Sequence, residues 1–87
     1  MNNHVSDFIV SLLEKKMSIP KKQRIYDYRF FEAGHIDSLS VMSFILNLED
    51  EFGVLISDED MISEQFQTIG GLSELIAKKV ELNSEQN

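Results

Sequence analysis

The chain has 87 residues, no cysteine and a formal net charge of −7 at pH 7. This length has room for one domain with a modest core, which leaves little stability for a deep, water-excluding active site. The acidic charge argues against nucleic acid and anionic membranes as partners, and the missing thiols exclude disulfides and thiolate metal sites. Since no segment approaches the roughly 20 apolar residues of a membrane span, we expect a cytoplasmic monomer without membrane insertion.

The first helix is predicted from apolar residues that recur on one helical face. These residues are Val5, Phe8, Ile9, Leu12 and Leu13, and Pro20 is expected to end the helix. From 18 to 36 the periodicity lapses, and the segment contains Tyr26, Tyr28, Phe30 and Phe31. A loop this long in a small domain is usually functional or packed down by its own side chains. We interpret the aromatic residues as core, with Phe30 and Phe31 as anchors, rather than as a ligand pocket.

The second predicted helix runs from Leu39 to Phe52 and is closed by Gly53. It carries two apolar stripes. One should face the core and consists of Val41, Phe44, Ile45, Leu48 and Phe52; the other consists of Leu39, Met42 and Leu46. Two interpretations stay open: the second stripe is an exposed contact surface, or this helix is the central one and buries both stripes.

Capping signals predict the remaining helices. Ser57, followed by acidic residues, should cap a short third helix that runs toward Ile62, and Thr68 should cap the last helix. Phe66 is expected to pack inward between them. The prediction is an all-α fold in one domain, 1–87: a small four-helix bundle over about 5–80, a long loop between helices 1 and 2, and a polar tail over 81–87.

The residues with catalytic or ligand-binding side chains do not form a recognisable enzyme site. His35, Asp37 and Ser38 are the residue types of a catalytic triad, but neighbours this close in the chain cannot easily reach the required geometry. Asp58 and Asp60 lack the calcium-loop pattern and are better explained by helix capping. Gly70-Gly71 lacks the residues of a phosphate loop. We therefore expect no catalysis and no metal site.

Ser38 has two possible roles. Its hydroxyl could cap the second helix, although Val41 replaces the residue of a capping box and Asp37 could cap equally well. Alternatively, Ser38 is exposed for covalent modification, and a phosphate attached to it would lie against the free N–H groups of the helix.

The stretch from Phe31 to Leu39, Phe-Glu-Ala-Gly-His-Ile-Asp-Ser-Leu, resembles the attachment motif of the acyl carrier protein family. The segment from Leu48 to Val54, Leu-Glu-Asp-Glu-Phe-Gly-Val, resembles the end of that family's second helix, and the apolar spacing extends the likeness from about Val5 to Val80. The resemblance implies a four-helix bundle whose Ser38 carries a covalent 4′-phosphopantetheine arm. Asp37 and Leu39 would flank the attachment, with Asp37 meeting the magnesium of the transferase.

The resemblance also implies the partners. A phosphopantetheinyl transferase would move the arm from coenzyme A, an acid-activating ligase or adenylation enzyme would load its thiol as a thioester, and an acyl-transferring or condensing enzyme would take the cargo. Such partners would dock on Leu39, Met42 and Leu46, with Ser43 and Asp50 beside them. Because Glu49, Asp50 and Glu51 lie at the far end of the helix, docking should depend more on apolar contact than on charge.

Three departures resemble stand-alone D-alanyl and other aminoacyl carriers more than fatty-acid carriers. Ser40 and Ser43 stand where fatty-acid carriers usually have acidic residues, both His35 and Ile36 separate Gly34 from Asp37, and 63–67 lengthens the connection to the last helix. The prediction is a discrete acyl or aminoacyl carrier for lipid or secondary-metabolite biosynthesis. The alternatives are a carrier-like adaptor that never receives an arm, and a specialised polyketide or fatty acyl carrier.

Overall fold

The computed structural model describes residues 3–20 and 24–85. Within these ranges the chain is helical without strands, which confirms the predicted all-α four-helix architecture. The helices are α1 (Asn3–Leu13), α2 (Val41–Phe52), α3 (Asp58–Met61) and α4 (Ile69–Glu85), with short 3₁₀ helices at Ile25–Asp27 and Glu64–Gln67. In this part of the chain, no helix combines the length and apolar character that a membrane crossing requires.

Helix α1 contributes Val5, Ile9 and Leu13 to the core, as its apolar spacing predicts. The prediction that Pro20 ends the helix is wrong, because α1 stops at Leu13. After Leu13, the N–H groups of Lys15 and Lys16 donate to carbonyl oxygens three residues earlier in the chain, at 3.3 Å each. This tighter pattern is the usual way for a helix to close before a loop.

Helix α2 buries one of its two apolar stripes. Phe44, Ile45 and Leu48 lie in the core, in agreement with the predicted inward face. The helix ends at Gly53, whose φ of 65° is left-handed and whose N–H donates to the carbonyl of Glu49 at 2.8 Å. Glycine takes this conformation without a Cβ penalty, so the predicted C-cap is confirmed.

The predicted caps of the last two helices are confirmed. Ser57 and Asp60 form a reciprocal capping box at the start of α3, and Thr68 Oγ1 accepts the N–H of Gly71 at 3.0 Å. Helix α4 then continues to Glu85 and so includes the first five residues of the predicted polar tail, 81–85. Asn83 binds this last stretch to the end of α2, since its side-chain amide donates to the carbonyl of Gly53 at 3.0 Å. Residues 86–87 of the predicted tail lie outside the described ranges.

Four phenylalanine rings occupy the centre of the bundle. Phe30 and Phe31 from the long loop meet Phe44 of α2 and Phe66 of the 3₁₀ helix before α4, with ring centroids 5.7–6.3 Å apart. Phe30 and Phe66 are fully buried. The interpretation of the loop aromatics as core is therefore confirmed for Tyr28 and Phe30, and Phe31 packs against the core while partly buried. It is wrong for Tyr26, which is exposed. The cluster fixes the loop that leads into α2, although residues 21–23 of that loop lie outside the described ranges.

Candidate functional site

The residue that caps α2 is Asp37. Its Oδ1 accepts the backbone N–H groups of Leu39 and Ser40, at 3.0 and 2.9 Å. The hydroxyl of Ser40 closes the turn, donating to the same Oδ1 at 3.0 Å and accepting the N–H of Asp37 at 3.1 Å. The carbonyl of Asp37 also accepts the N–H of Val41 at 2.9 Å. A turn over 38–40 thus precedes α2, which begins at Val41 rather than at the predicted Leu39.

These contacts set the charge of Asp37. Hydrogen bonds from the backbone and side chain of Ser40 lower the pKa of Asp37 to about 2, and Lys16 and the N–H of Leu39 assist. The ammonium group of Lys16 lies 3.3 Å from Oδ2, which ties the loop after α1 to the start of α2. Asp37 is therefore an exposed carboxylate at any physiological pH.

The hydroxyl of Ser38 is free. Its side chain is exposed, and among the described residues it makes no hydrogen bond. Of the two roles open for this serine, capping is therefore excluded, because Asp37 performs it. Asp37 accepts the N–H groups of Leu39, Ser40 and Val41, so a phosphate on Ser38 would have to use other N–H groups at the start of the helix.

His35 is part of the framework and not a catalytic base. Its side chain is 2% exposed. Its Nδ1 lies 3.1 Å from the carbonyl oxygen of Leu13, and its Nε2 lies 2.8 Å from the hydroxyl of Tyr28. Both ring nitrogens are thus occupied, so neither is available to activate Ser38. His35 therefore does not form a catalytic triad with Asp37 and Ser38.

A cleft of about 240 Å³ lies between α1 and α2, next to the Asp37 turn. Its walls carry both lysines that follow α1 and several polar groups of α2, over an apolar floor. The lining residues are Leu12, Lys15, Lys16, His35, Ile36, Ser40, Ser43, Phe44 and Asn47. This cleft could not be predicted from the sequence, because its two walls are far apart in the chain.

The second apolar stripe of α2 is exposed. Leu39, Met42 and Leu46 are 91%, 55% and 58% accessible, and Ser43 and Asp50 share their exposed face. This decides between the two open interpretations in favour of an uncovered surface. We call these five residues the outer face of α2.

Two of the other exposed apolar residues lie on short connections between helices. Leu55 is 81% accessible and borders a shallow depression with Leu46 and Asp50 of the outer face, and Ile62 is 83% accessible just after α3. Exposed leucine and isoleucine side chains on short connections between helices carry no sequence period that would mark them.

The acidic residues at the end of α2 have separate environments. Glu49 accepts the N–H of Ile56 at 2.8 Å, and Glu51 lies 3.4 Å from the imidazole of His4 on α1. Asp50 alone of these acids lies on the outer face. Elsewhere, Asp60 forms an ion pair with Lys79 at 2.8 Å; partial burial opposes ionisation, but Lys79 and Ser57 lower its pKa. No cluster of three or more metal-ligating side chains occurs within the described ranges.

The fold and the site together define a small helical module that presents an exposed serine at a helix start beside an uncovered apolar face. A family model described as a phosphopantetheine attachment site matches residues 7–76. The chain therefore belongs to this acyl carrier, phosphopantetheine-binding family, as the motif around Ser38 predicts. Members of the family are carriers without catalysis of their own, and their cofactor is covalently attached 4′-phosphopantetheine.

One curated relative is acyl carrier protein 3, chloroplastic, from Cuphea lanceolata. It is 26% identical to this chain over 72 residues, which are 83% of the chain and 49% of the relative. The chain thus spans about half the length of that relative. No solved structure matches the chain. The relative is described as chloroplastic, so the cytoplasmic location expected from the sequence stays a prediction.

Proposed function

We propose that the chain is a carrier protein whose Ser38 receives the 4′-phosphopantetheine arm. The observation that carries this proposal is that two adjacent residues have different roles at the start of α2. Asp37 caps the helix, while the hydroxyl of Ser38 is exposed and makes no hydrogen bond within the described residues. A serine engaged in capping would have to give up its hydrogen bond before reacting. Ser38 can react without first breaking a hydrogen bond.

The residues around Ser38 suit the transfer of a phosphoryl group. Ser38 Oγ would attack the phosphorus of coenzyme A that bears the pantetheine, forming a P–O bond as the bond to adenosine 3′,5′-bisphosphate breaks. The hydroxyl proton would pass to a base of the transferase, since both nitrogens of His35 are occupied. Asp37 is ionised and its side chain is exposed, so its Oδ2, which also contacts Lys16, would meet the magnesium of the transferase.

Once attached, the arm supplies a terminal thiol that holds an acyl or aminoacyl group as a thioester. For its partners, the transferase, an acid-activating enzyme and an enzyme that takes the cargo, we propose docking on the outer face of α2. This face begins at Leu39, directly after Ser38, so a partner seated there reaches the attachment point. Its single acidic residue, Asp50, supports docking mainly by apolar contact.

For the cargo we propose an amino acid or another short acid rather than a long fatty chain. The three departures from fatty-acid carriers described above point this way. The buried insertion of His35 and Ile36 and the inward position of Phe66 also fill the bundle with fixed side chains. A long acyl chain would have to displace the phenylalanine cluster, whose tight packing makes that costly.

The first experiment tests the attachment. The purified chain is incubated with coenzyme A, magnesium and a broad-specificity phosphopantetheinyl transferase, and its intact mass is recorded. We expect one added phosphopantetheine on the wild type and none on Ser38→Ala. Ser11→Ala is the matched control, because it removes an exposed serine of α1 that lies outside the outer face of α2 and should still load. If the wild type gains no mass while a control carrier is loaded by the same transferase, the proposal is wrong and the adaptor alternative replaces it.

A second experiment tests the cargo. The carrier is isolated from cells under conditions that preserve thioesters, and the mass of the loaded form is measured. An increment that matches an amino acid or a short acid supports the proposal. The increment of a long fatty or polyketide chain would instead support a specialised acyl carrier.

A further inference from the structure

The cleft between α1 and α2 shares only Ser43 with the outer face of α2, and the proposed function gives the rest of its lining no role. It opens beside the Asp37 turn, on the side of α2 that faces α1, whereas the outer face points to solvent. We propose, building on the proposed function, that the arm binds in this cleft when no partner is bound, and we call the cleft its seat. Lys16 is the counter-ion of the arm's phosphate.

Three of the N–H groups near Ser38 are already bonded. Asp37 already accepts the N–H groups of Leu39, Ser40 and Val41, which a phosphate at a helix start would otherwise use. Attachment also places a phosphodiester next to the Asp37 carboxylate. Two adjacent negative charges repel each other, so a nearby cation is required for the phosphate to settle against the protein.

Lys16 meets this requirement. Its Nζ lies 3.3 Å from Asp37 Oδ2, its long side chain is half-exposed, and it lines the cleft. Lys15 lines the same cleft. A lysine ammonium is a point charge on a flexible stem, so Lys16 can contact Asp37 and a phosphate on Ser38 from nearly the same position.

The rest of the cleft matches the chemistry of pantetheine, which alternates apolar and amide groups. Ile36 and Phe44 supply an apolar floor for its paired methyl groups. Ser43 and Asn47 line the polar wall. The Asn47 side-chain NH₂ donates to the carbonyl of Ser43 at 2.8 Å, which directs the amide and leaves its Oδ1 available to accept an amide N–H of the arm. The volume of about 240 Å³ accommodates part of the arm and leaves its thiol end outside.

Nuclear magnetic resonance can test this directly. Isotope-labelled protein is loaded with unlabelled 4′-phosphopantetheine, and the nuclear Overhauser effects from the two methyl groups of the arm are assigned. We expect contacts to Ile36, Phe44 and Leu12. Methyl groups that contact no protein proton, or that contact only Leu46 and Leu55 on the opposite side, would overturn the proposal.

A pair of variants tests the counter-ion. Lys16→Gln should lose the contacts between arm and cleft, whereas Lys78→Gln, which removes an exposed lysine of α4, should keep them. If Lys16→Gln keeps them, Lys16 is not the counter-ion. Intact mass is read first in every sample: a wild type that does not load contradicts Ser38 as the attachment site and with it both proposals, whereas a loaded protein without cleft contacts contradicts the seat alone.

Discussion

The imidazole of His35 binds the backbone carbonyl of Leu13, with 3.1 Å between Nδ1 and the oxygen. A carbonyl oxygen only accepts, so Nδ1 carries the proton, and in the neutral ring Nε2 accepts from the hydroxyl of Tyr28. This buried bond joins the last residue of α1 to the loop immediately before Asp37. It therefore fixes the position of the attachment turn relative to α1 and shapes the cleft between them.

Removing this imidazole should weaken the fold. In His35→Ala the carbonyl of Leu13 and the hydroxyl of Tyr28 lose their partner, and a buried polar group without a hydrogen bond costs about 1–3 kcal/mol. We expect a loss of at least this size in the free energy of unfolding, measured with urea. His4→Ala is the matched control: the contact of its imidazole with Glu51 is on the surface, so its loss should stay below about 1 kcal/mol. Equal losses for the two variants would contradict the structural role of His35.

The Asp37 cap predicts a specific pH dependence. The folded-state pKa of Asp37 is about 2, lowered chiefly by Ser40, whereas an aspartate in an unfolded chain titrates near about 3.9. The stabilisation by Asp37 is therefore complete above about pH 4 and is lost as the pH falls through about 2. The difference in unfolding free energy between wild type and Asp37→Asn should narrow across this window.

The same titration can be observed at the carboxyl carbon of Asp37 by nuclear magnetic resonance. Ser40→Ala removes one of the hydrogen bonds that lower the pKa, so the midpoint should move up toward the ordinary value of an aspartate. A wild-type midpoint near 4 would show that the cap does not form in solution.

Leu46 and Leu48, two positions apart on α2, should respond oppositely to the same substitution. Leu48 is fully buried, so Leu48→Ala should lower the free energy of unfolding by about 2–5 kcal/mol. Leu46 is exposed, so Leu46→Ala should change stability by less than about 0.5 kcal/mol. Leu46→Ala should instead raise the KM of the transferase for this carrier. An unchanged KM would remove Leu46 from the docking surface.

Alanine should be unfavourable at the two glycines that begin α4, although it normally stabilises a helix interior by about 1 kcal/mol over glycine. A Cβ on Gly71 would lie 2.6 Å from the backbone carbonyl oxygen of Gln65, and a Cβ on Gly70 would lie 2.4 Å from the ring of Tyr26. The Tyr26 side chain is partly exposed and can turn away, whereas the backbone at Gln65 cannot.

Gly71→Ala should therefore lower the free energy of unfolding by about 1–3 kcal/mol relative to the wild type. Gly70→Ala should lower it by less. Thermal unfolding of both variants compares them directly. A Gly71→Ala protein that is more stable than the wild type would mean that the close approach of Gln65 is absent in solution.

The sequence alone was sufficient to predict the four helices and the inward faces of α1 and α2, but not the residues at which α1 ends and α2 begins. The apolar period of α2 identifies Phe44, Ile45 and Leu48 as core, and Ser57, Thr68 and Gly53 mark helix ends, because these signals act within a few residues of chain. The motif around Ser38 likewise predicts the family. The end of α1 could not be predicted this way, because it depends on where the chain turns after Leu13 and on His35, which reaches Leu13 from 22 residues away.

Only the tertiary structure decided which residue caps α2 and which apolar residues stay uncovered. Asp37 and Ser38 are both good capping residues in sequence, and the choice depends on the backbone direction that Phe30 and His35 impose on the loop. The exposure of Leu39, Met42 and Leu46 likewise depends on which helices pack against α2, and the α1–α2 cleft exists only where distant segments meet. Local physics determines the period of a helix, but the availability of the Ser38 hydroxyl is determined by contacts between parts of the chain that the sequence does not place together.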